Sequence, residues 1–550
     1  MNLAAELGPE VSSSERDQRW IVWALGAASF AAVLIANASG ISIGDDGVGY
    51  QAIADSLARG DGYGYFLERP VTVWPPIWPG LMALVSRLTP LGTVGAAVLL
   101  NALVSVGVVI LGNKLLRKVV ASERIVLLGT IVLALGPATV GLGHVLMTDM
   151  AFALVVITWM LVLTRFWEDG SIADLVIAAM LAWLAFGVRY VGLVLIAIGG
   201  LWILLDTRSK VVERVRNGIL YGVVSVIAPA VWMLRNYNID ETFTGERHTS
   251  ARGFIDNGFD LTATIGRFLV PGVANGATKI WSAIGVVATI TAVVGLWMVL
   301  SKRRSGTEPS ADPDTAGAIP TGGSDSVGGL RQVVSRGYGL LGTPIGLIGM
   351  FACLYMAYML YVRTTTALNQ LDLRLLFPAY FPLLVVVLAA LDRLSDPKGG
   401  SLSRPAYSAV HLWAAANLCA GLVGMVAFGM GHPYFPGDYA ADTFVEVRDN
   451  PALNAVPAGC TNYSNLPNAL YPRLDSKWSP QRTALESTDP TDDLARLERS
   501  SAKHKSCLVW IDEDPEYGHL WPLHDLRQRL DLTRLAGHGD VTVYLITPQR

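Results

Sequence analysis

Two adjacent carboxylates, Asp45 and Asp46, directly follow an uncharged apolar run over residues 20–44. Paired acids at the edge of an apolar segment are costly unless water, a metal ion or a reaction requires them. One of them could cap the helix predicted to begin near Tyr50, since aspartate is a favoured N-cap residue. Because one carboxylate is enough for capping, the second indicates chemistry, such as a general base that takes a proton from an acceptor hydroxyl.

Arginines form a second group of candidate residues, in segments that the predicted topology places on the same side of the membrane as these acids. A guanidinium stays charged and binds phosphate through two parallel hydrogen bonds. Taken singly, each is better explained as a loop or interfacial arginine, but the whole group on one side favours an anionic ligand. The group consists of Arg69, Arg189, Arg235, Arg247, Arg252 and Arg374.

A third acid and several aromatic residues complete the candidate site. Asp149 is the only acid between Glu123 and Glu168, and it lies at the start of a predicted span. Aromatic residues in the first outward loop suit stacking on a sugar or a lipid, although an interfacial belt with rigid turns explains most of them individually. The residues predicted to contact substrate are Tyr50, Tyr63, Glu68, Trp74 and Trp78.

The composition indicates that these candidate residues belong to a membrane protein. Of the 550 residues, 52% are hydrophobic and only 16% are charged, against about 25% charged in a typical soluble domain. The net charge of −3 gives no reason to expect nucleic-acid binding. The four cysteines lack the CxxC spacing of zinc and thioredoxin-like sites. The chain is therefore predicted to be a polytopic α-helical membrane protein.

The apolar residues cluster into eleven charge-free runs, and a helix needs about 20 such residues to span a membrane. At residues 175–205, Arg189 separates two short runs. A single helix there would be ~46 Å long, so two spans joined by a tight turn near Gly187 are expected. The runs cover residues 20–44, 88–113, 125–148, 150–164, 175–188, 190–205, 217–234, 280–301, 337–362, 375–391 and 405–437.

Lysine and arginine residues orient the chain in the membrane. With eleven spans, the loops on the N-terminal side hold 19 Lys and Arg residues and the opposite loops hold 11. Since positive residues concentrate in cytoplasmic loops, the N-terminus is predicted to be cytoplasmic in a multi-pass protein of the cell membrane. The expected regions are a cytoplasmic N-terminus at 1–19, a catalytic module at 20–300 with outer loops 39–87 and 235–279, a flexible cytoplasmic linker at 301–336, three further spans at 337–430, and an extracytoplasmic domain at 431–550.

The tail at 431–550 is predicted to be a small α/β domain. Strand-like pieces at 506–511 and 541–546 alternate with helix-like pieces at 492–500 and 522–530. Cys460 and Cys507 both lie in this tail, where thiols can oxidise, whereas Cys353 and Cys419 lie in predicted spans. A disulfide between Cys460 and Cys507 is therefore expected.

The order of motifs resembles one family of membrane enzymes. Asp-Asp after an apolar span, then Tyr50, a short helix, Gly62-Tyr63-Gly64-Tyr65 and the Pro-rich segment 75–81 resemble the first outer loop of GT-C glycosyltransferases. The similarity is greatest to the protein O-mannosyltransferases, the lipid A aminoarabinose transferase and the rhizobial lipopolysaccharide-core transferases. Further matching segments are Met147-Thr148-Asp149, Gly187-Val188-Arg189-Tyr190, Trp232-Met233-Leu234-Arg235-Asn236, Asp372-Leu373-Arg374-Leu375-Leu376, and Thr461-Asn462-Tyr463 in the tail.

This resemblance implies a reaction and a set of partners. Such enzymes take a sugar from a polyprenyl phosphate on the outer face of the membrane, and the acceptor would be a hydroxyl of a glycan, glycolipid or protein. Asp45 is the favoured base, with Asp46 or Asp149 as positioning groups, and direct displacement predicts inversion at the anomeric carbon. Arginine would stabilise the leaving phosphate. No metal ligand or cofactor is assigned, although the paired acids with Asp149 could hold Mg²⁺ or Mn²⁺.

Two other classes of protein fit part of the sequence. A transporter or flippase of an anionic glycolipid would also need arginines, but it usually shows internal repeats and charges within its spans. A non-catalytic membrane scaffold with an outer binding domain is the third interpretation. Release of lipid phosphate from a labelled polyprenyl-phosphate sugar separates the enzyme from both.

Overall fold

The computed structural model describes residues 13–67, 70–271, 278–287, 289–290, 341–394, 403–434, 437–485, 487–512 and 518–548. Several predictions lie outside these residues. They concern Glu68, Arg69, most of the N-terminal segment 1–19, the linker at 301–336 and most of the eighth apolar run.

Helices make up most of the described chain before residue 430. They are α1 (Ser13–Ala36), α2 (Asp45–Arg59), α3 (Ile77–Leu88), α4 (Thr93–Val119), α5 (Glu123–Leu135), α6 (Pro137–Gly143), α7 (Asp149–Asp169), α8 (Ile172–Val188), α9 (Leu193–Leu205), α10 (Val211–Asp240), α11 (Phe254–Leu269), α12 (Thr278–Val287), α13 (Pro344–Thr365), α14 (Leu373–Leu394) and α15 (Ser403–Gly429).

Eight of the helical segments in the described residues are long and apolar enough to cross a membrane. They are α1, α4, α5 with α6, α7, α10, α13, α14 and α15. Each coincides with one of the predicted runs, and the shorter apolar helices α8, α9 and α12 coincide with the other three. The polytopic helical architecture is therefore confirmed, while the number of eleven spans stays a prediction.

The helical conformation is interrupted between α8 and α9, as the sequence predicts. Arg189 takes an extended conformation after α8, and a short 3-10 turn, Tyr190–Gly192, leads into α9. A Cβ atom on Gly192 would lie 2.2 Å from the backbone nitrogen of Phe186, so only glycine fits this turn. The turn holds Arg189 at one end of the bundle, where α7 begins.

Helix α7 forms the centre of the bundle. It packs against α4, α8 and α14, and its residues Phe152, Val156, Trp159 and Leu163 are fully buried. These large buried side chains fix the position of α7 along its own axis relative to the neighbouring helices. Its first residue, Asp149, is consequently held in a defined position relative to the neighbouring helices.

The residues after α15 form the small α/β domain that the sequence predicts. Its sheet has the order β2-β1-β3-β5-β4, in which β1 is parallel to β2 and β3, and β5 is antiparallel to β3 and β4. The strands are β1 (Thr461–Ser464), β2 (Lys477–Trp478), β3 (Ser506–Ile511), β4 (Leu530–His538) and β5 (Val541–Pro548), and the helices are α16 (Asp442–Arg448), α17 (Pro467–Leu470), α18 (Asp493–Ser501) and α19 (Leu523–Arg529).

The predicted disulfide is confirmed. Cys460 and Cys507 are bonded with their Cα atoms 5.9 Å apart, which joins the residue before β1 to the central strand β3. The bond fixes β1 against β3, and β1 leads directly into α17.

Candidate active site

The first loop and the start of α7 are joined by backbone hydrogen bonds. The amide of Ser42 donates to the carbonyl of His144 over 2.9 Å, and the amide of Leu146 donates to the carbonyl of Ser42 over 3.0 Å. This short parallel pairing places the N-terminus of α2 beside the N-terminus of α7. The sequence-predicted acids of the two segments therefore meet at one end of the bundle.

Neither aspartate at the start of α2 is the N-cap residue. Gly44 occupies the N-cap position, and it has no side chain that could cap the helix. Asp45 and Asp46 are the first two residues of the helix. Carboxylates in the first turn are favoured by the helix dipole. The alternative interpretation, in which one of the acids is only a helix cap, therefore does not hold, and both side chains bind groups elsewhere in the fold.

Asp46 faces an arginine of α14. Arg374 donates from Nη1 to Asp46 Oδ2 over 3.2 Å and contacts the sulfur of Met147 over 3.2 Å. The side chain of Arg374 is 5% exposed and that of Asp46 is 38% exposed. The pair thus has a buried cation and an accessible carboxylate, which is the arrangement needed if the carboxylate meets a substrate.

A second ion pair lies close to the first. Arg189 donates from Nη1 to Asp149 Oδ1 over 2.5 Å and to the hydroxyl of Thr148 over 3.1 Å. Asp149 is 1% exposed, and its second oxygen, Oδ2, has no hydrogen-bond partner among the described residues. Removing one member of a buried ion pair destabilises a protein, because the charge of the other member is left uncompensated.

Asp45 points to different partners. Its Oδ1 accepts a hydrogen bond from the hydroxyl of Tyr439 over 2.8 Å and another from Nδ2 of Asn468 over 2.7 Å. Both donors belong to the part of the chain that follows α15. The two adjacent acids that the sequence treats as one pair therefore diverge, and Asp46 is the one beside the arginine of α14.

The remaining predicted arginines differ in their partners. Arg252 pairs with the buried carboxylate of Asp260 over 3.3 Å. Arg235 donates to the carbonyl of Val71 over 2.6 Å, and its guanidinium lies 4.6 Å from the ring centre of Trp232. The structure therefore does not bring Arg252 or Arg235 into contact with the acids of the site.

Arg247 is the exposed arginine that has no carboxylate partner near the site. Its guanidinium donates to the carbonyl of Thr244 over 2.8 Å, and the negative charge of Asp46 acts on it at longer range. Among the described residues, no acid forms an ion pair with it. It consequently keeps donors for an anionic ligand.

The predicted aromatic residues divide into buried and partly accessible ones. Trp78 is 1% exposed and Tyr50 is 5% exposed, so both pack against the protein. Burial raises the pKa of Tyr50 above its ordinary range. Trp74 packs on Tyr50, with ring centres 5.7 Å apart, and Tyr63 packs edge-on against Trp232 at 5.3 Å. Trp74 and Tyr63, which belong to the first loop, are half-buried.

A set of hydrogen bonds that the sequence does not predict holds the first loop against α10. Trp232 Nε1 and Asn236 Nδ2 each donate to the hydroxyl of Tyr190 over 3.0 Å, and that hydroxyl donates to the carbonyl of Thr72 over 2.6 Å. From the sequence, Trp232 and Asn236 are known only as part of a segment that matches the GT-C glycosyltransferases. The spacing of four residues, which puts both side chains on one helix face, was the available signal.

No described group of three or more His, Cys, Asp or Glu side chains is arranged to hold a metal ion. Asp46 and Asp149 are each engaged by a guanidinium instead.

Comparison with known proteins gives matches in structure. No family model and no curated protein matches the sequence. Two crystal structures of ArnT from Cupriavidus metallidurans, one in the apo state and one bound to undecaprenyl phosphate, are similar at 14% identity, with TM-scores of 0.58 and 0.57. The similarity covers 96% of this chain and 98% of ArnT.

An archaeal enzyme shows the same architecture at lower similarity. The oligosaccharyltransferase of Archaeoglobus fulgidus in the apo form is similar at 11% identity and a TM-score of 0.52, over 90% of this chain and 69% of that chain. At these identities the likeness is one of fold. The chain accordingly has the fold of the GT-C glycosyltransferases, which its motifs resemble, with a small C-terminal sheet domain.

Proposed function

We propose that this protein is a membrane glycosyltransferase that moves a sugar from a polyprenyl phosphate to a hydroxyl of an acceptor. The observation that carries the proposal is the accessible carboxylate of Asp46, held by Arg374 close to the ion pair of Asp149 and Arg189. The fold supports it, since ArnT has the same fold and one of its structures is bound to undecaprenyl phosphate.

Asp46 is the proposed general base, in place of the expected Asp45. Its carboxylate takes the proton of the acceptor hydroxyl as that oxygen attacks the anomeric carbon. The bond between the anomeric carbon and the phosphate oxygen breaks, and the lipid phosphate leaves with the electron pair. One displacement of this kind inverts the anomeric configuration. Arg374 keeps the carboxylate oriented toward the site.

Arg247 is the proposed ligand of the donor phosphate. Arg189, Arg252 and Arg374 are each neutralised by a carboxylate. Arg247 is exposed and lacks such a partner among the described residues, and the negative charge of Asp46 acts on it at longer range. A guanidinium there can bind the phosphate diester of the donor, which is already negatively charged before the bond to the sugar breaks. Trp74 and Tyr63 would border the sugar.

The membrane orientation is part of the proposal. The excess of Lys and Arg in the loops on the N-terminal side favours a cytoplasmic N-terminus. The disulfide between Cys460 and Cys507 supports an extracytoplasmic C-terminal domain, because disulfides persist in oxidising compartments. Labelling of intact cells with a membrane-impermeant thiol reagent, after introducing Ser500→Cys, tests this. A tail protected from the reagent would contradict the orientation.

Divalent cations can be tested separately from the transfer itself. Because guanidinium groups already neutralise Asp46 and Asp149, we propose that arginine, and not Mg²⁺ or Mn²⁺, stabilises the donor phosphate. Transfer measured in EDTA, and again after either cation is restored, decides between the two. Activity that depends on added cation would assign the phosphate to a metal.

The proposal is tested with purified protein in nanodiscs and a polyprenyl-phosphate sugar labelled in the sugar. The wild type should release polyprenyl phosphate and transfer the label, and Asp46→Asn should lower turnover by roughly 10²–10⁴. In proteoliposomes, which have two separate compartments, movement of intact donor across the bilayer without cleavage would identify a flippase. An Asp46→Asn variant as active as the wild type would refute the assigned base.

A further inference from the structure

The C-terminal domain binds α2, the helix that carries the proposed base, at two positions. At the N-terminal end, Asp45 accepts hydrogen bonds from Tyr439 and Asn468. Ten residues later, Asp55 accepts a hydrogen bond of 2.5 Å from the hydroxyl of Tyr471. The intervals between these partners exceed 390 residues of sequence. Two acids on one short helix are thus bound by one distant domain.

The donors in these contacts are buried. Tyr439 and Asn468 are each 6% exposed, and Tyr471 is 8% exposed. A buried hydroxyl or amide that loses its acceptor pays the full desolvation penalty, so each contact constrains its partner strongly. Asp45 is itself exposed, and its Oδ1 nevertheless accepts from two buried groups.

The backbone before α2 is held by the same domain. The amide of Ile43 donates to Asp438 Oδ1 over 2.8 Å, and the amide of Tyr439 donates to the carbonyl of Ile43 over 2.9 Å. Asn468 and Tyr471 lie on or next to α17, which follows β1, and β1 is fixed to β3 by the disulfide. A continuous set of contacts therefore runs from the sheet to the first turn of α2.

We propose that Asp45 is a positioning residue, and that Tyr439 and Asn468 of the C-terminal domain hold it so that the neighbouring Asp46 faces the substrate. The inference rests on the proposed function, and it assigns the C-terminal domain a part in transfer. Rotation of α2 about its axis would carry Asp46 away from Arg374. The contacts of Asp45 prevent that rotation, because side chains one residue apart differ by about 100° around a helix.

Exchanging the donor and the acceptor between Asn468 and Asp45 tests the positioning role. Asn468→Asp places a carboxylate against Asp45 and should lower kcat about tenfold, with the donor KM changed less than about twofold. Adding Asp45→Asn restores a donor and an acceptor across the contact, with the roles exchanged, and should return kcat to within about threefold of wild type. Asn454→Asp, the same change at an exposed position of the same domain, is the matched control and should behave as the wild type.

The outcomes separate this inference from the proposed function. A double variant that stays as slow as Asn468→Asp would overturn the positioning role, and so would a donor KM that rises while kcat is kept. Amide hydrogen exchange of residues 46–50 gives an independent reading, faster in Asn468→Asp and slow again in the double variant. If the wild type transfers no sugar, the proposed function fails, while the exchange data still decide whether these residues fix α2.

Discussion

Replacing Arg247 by glutamine should weaken donor binding more than it slows the chemical step. The guanidinium donates once, to the carbonyl of Thr244, and is otherwise free of carboxylates among the described residues. A hydrogen bond to a charged group contributes about 1.5–3 kcal/mol, which corresponds to roughly 10–150-fold in affinity. We therefore expect the donor KM of Arg247→Gln to rise by about 10–100-fold, with kcat changed by less than about fivefold.

Arg87 supplies a matched control. It is exposed, lies in the same predicted outward loop as the acids, and likewise donates to one backbone carbonyl, that of Ala58, over 2.8 Å. Arg87→Gln should therefore leave the donor KM unchanged. Arg247→Lys should fall between wild type and Arg247→Gln, because an ammonium keeps the charge but loses the planar pair of donors.

The assay is initial-rate transfer of labelled sugar in nanodiscs at several donor concentrations, with competition by polyprenyl phosphate as a second measure of affinity. Equal effects of Arg247→Gln and Arg87→Gln would show that the change is one of general surface charge. An unchanged donor KM in Arg247→Gln would refute the assignment of the phosphate to this arginine.

Three further predictions concern the framework of the site. Asp149→Asn should destabilise the protein by about 1.5–3 kcal/mol, because Arg189, whose side chain is 18% exposed, would lose its charged partner. Adding Arg189→Gln should recover part of this loss; unfolding in detergent measures both, and additive losses would contradict the coupling. Cys460→Ser removes a disulfide that spans 47 residues and should lower the free energy of unfolding of the C-terminal domain by about 2–5 kcal/mol. Proteolysis of this domain should then be faster, and unchanged proteolysis would contradict the stabilising role of the disulfide. Gly49→Ala should lower the unfolding temperature in detergent, because the added Cβ would lie 2.4 Å from the ring of Trp74. Gly49→Ala with Trp74→Leu should regain part of that stability, and no loss in the single variant would show that the contact is not rigid.

The sequence predicts the elements of this fold well because their signals are local. Charge-free runs mark the membrane helices, and the periodic apolar residues after Tyr50 mark α2, which extends from Asp45 to Arg59. The strand β3 has the predicted bounds, Ser506–Ile511. The short strand β2 was missed, because two residues paired to a neighbour carry no periodicity of their own.

The assignment of roles within the site could not be predicted, because it depends on distant partners. Asp45 and Asp46 are chemically identical and adjacent, and only Tyr439, Asn468 and Arg374 distinguish them. The arginines present the same difficulty. Sequence places them on one side of the membrane, but their pairing with acids such as Asp260 depends on tertiary packing.

The location of the donor phosphate tests the central claim most directly. A cryo-electron microscopy map of the protein in nanodiscs with polyprenyl phosphate should show the phosphate against the guanidinium of Arg247, on the side that faces Asp46. The lipid chain should leave the site toward the membrane. Phosphate density at Arg252 or Arg87, or density only at the opposite end of the bundle, would contradict the proposed active site.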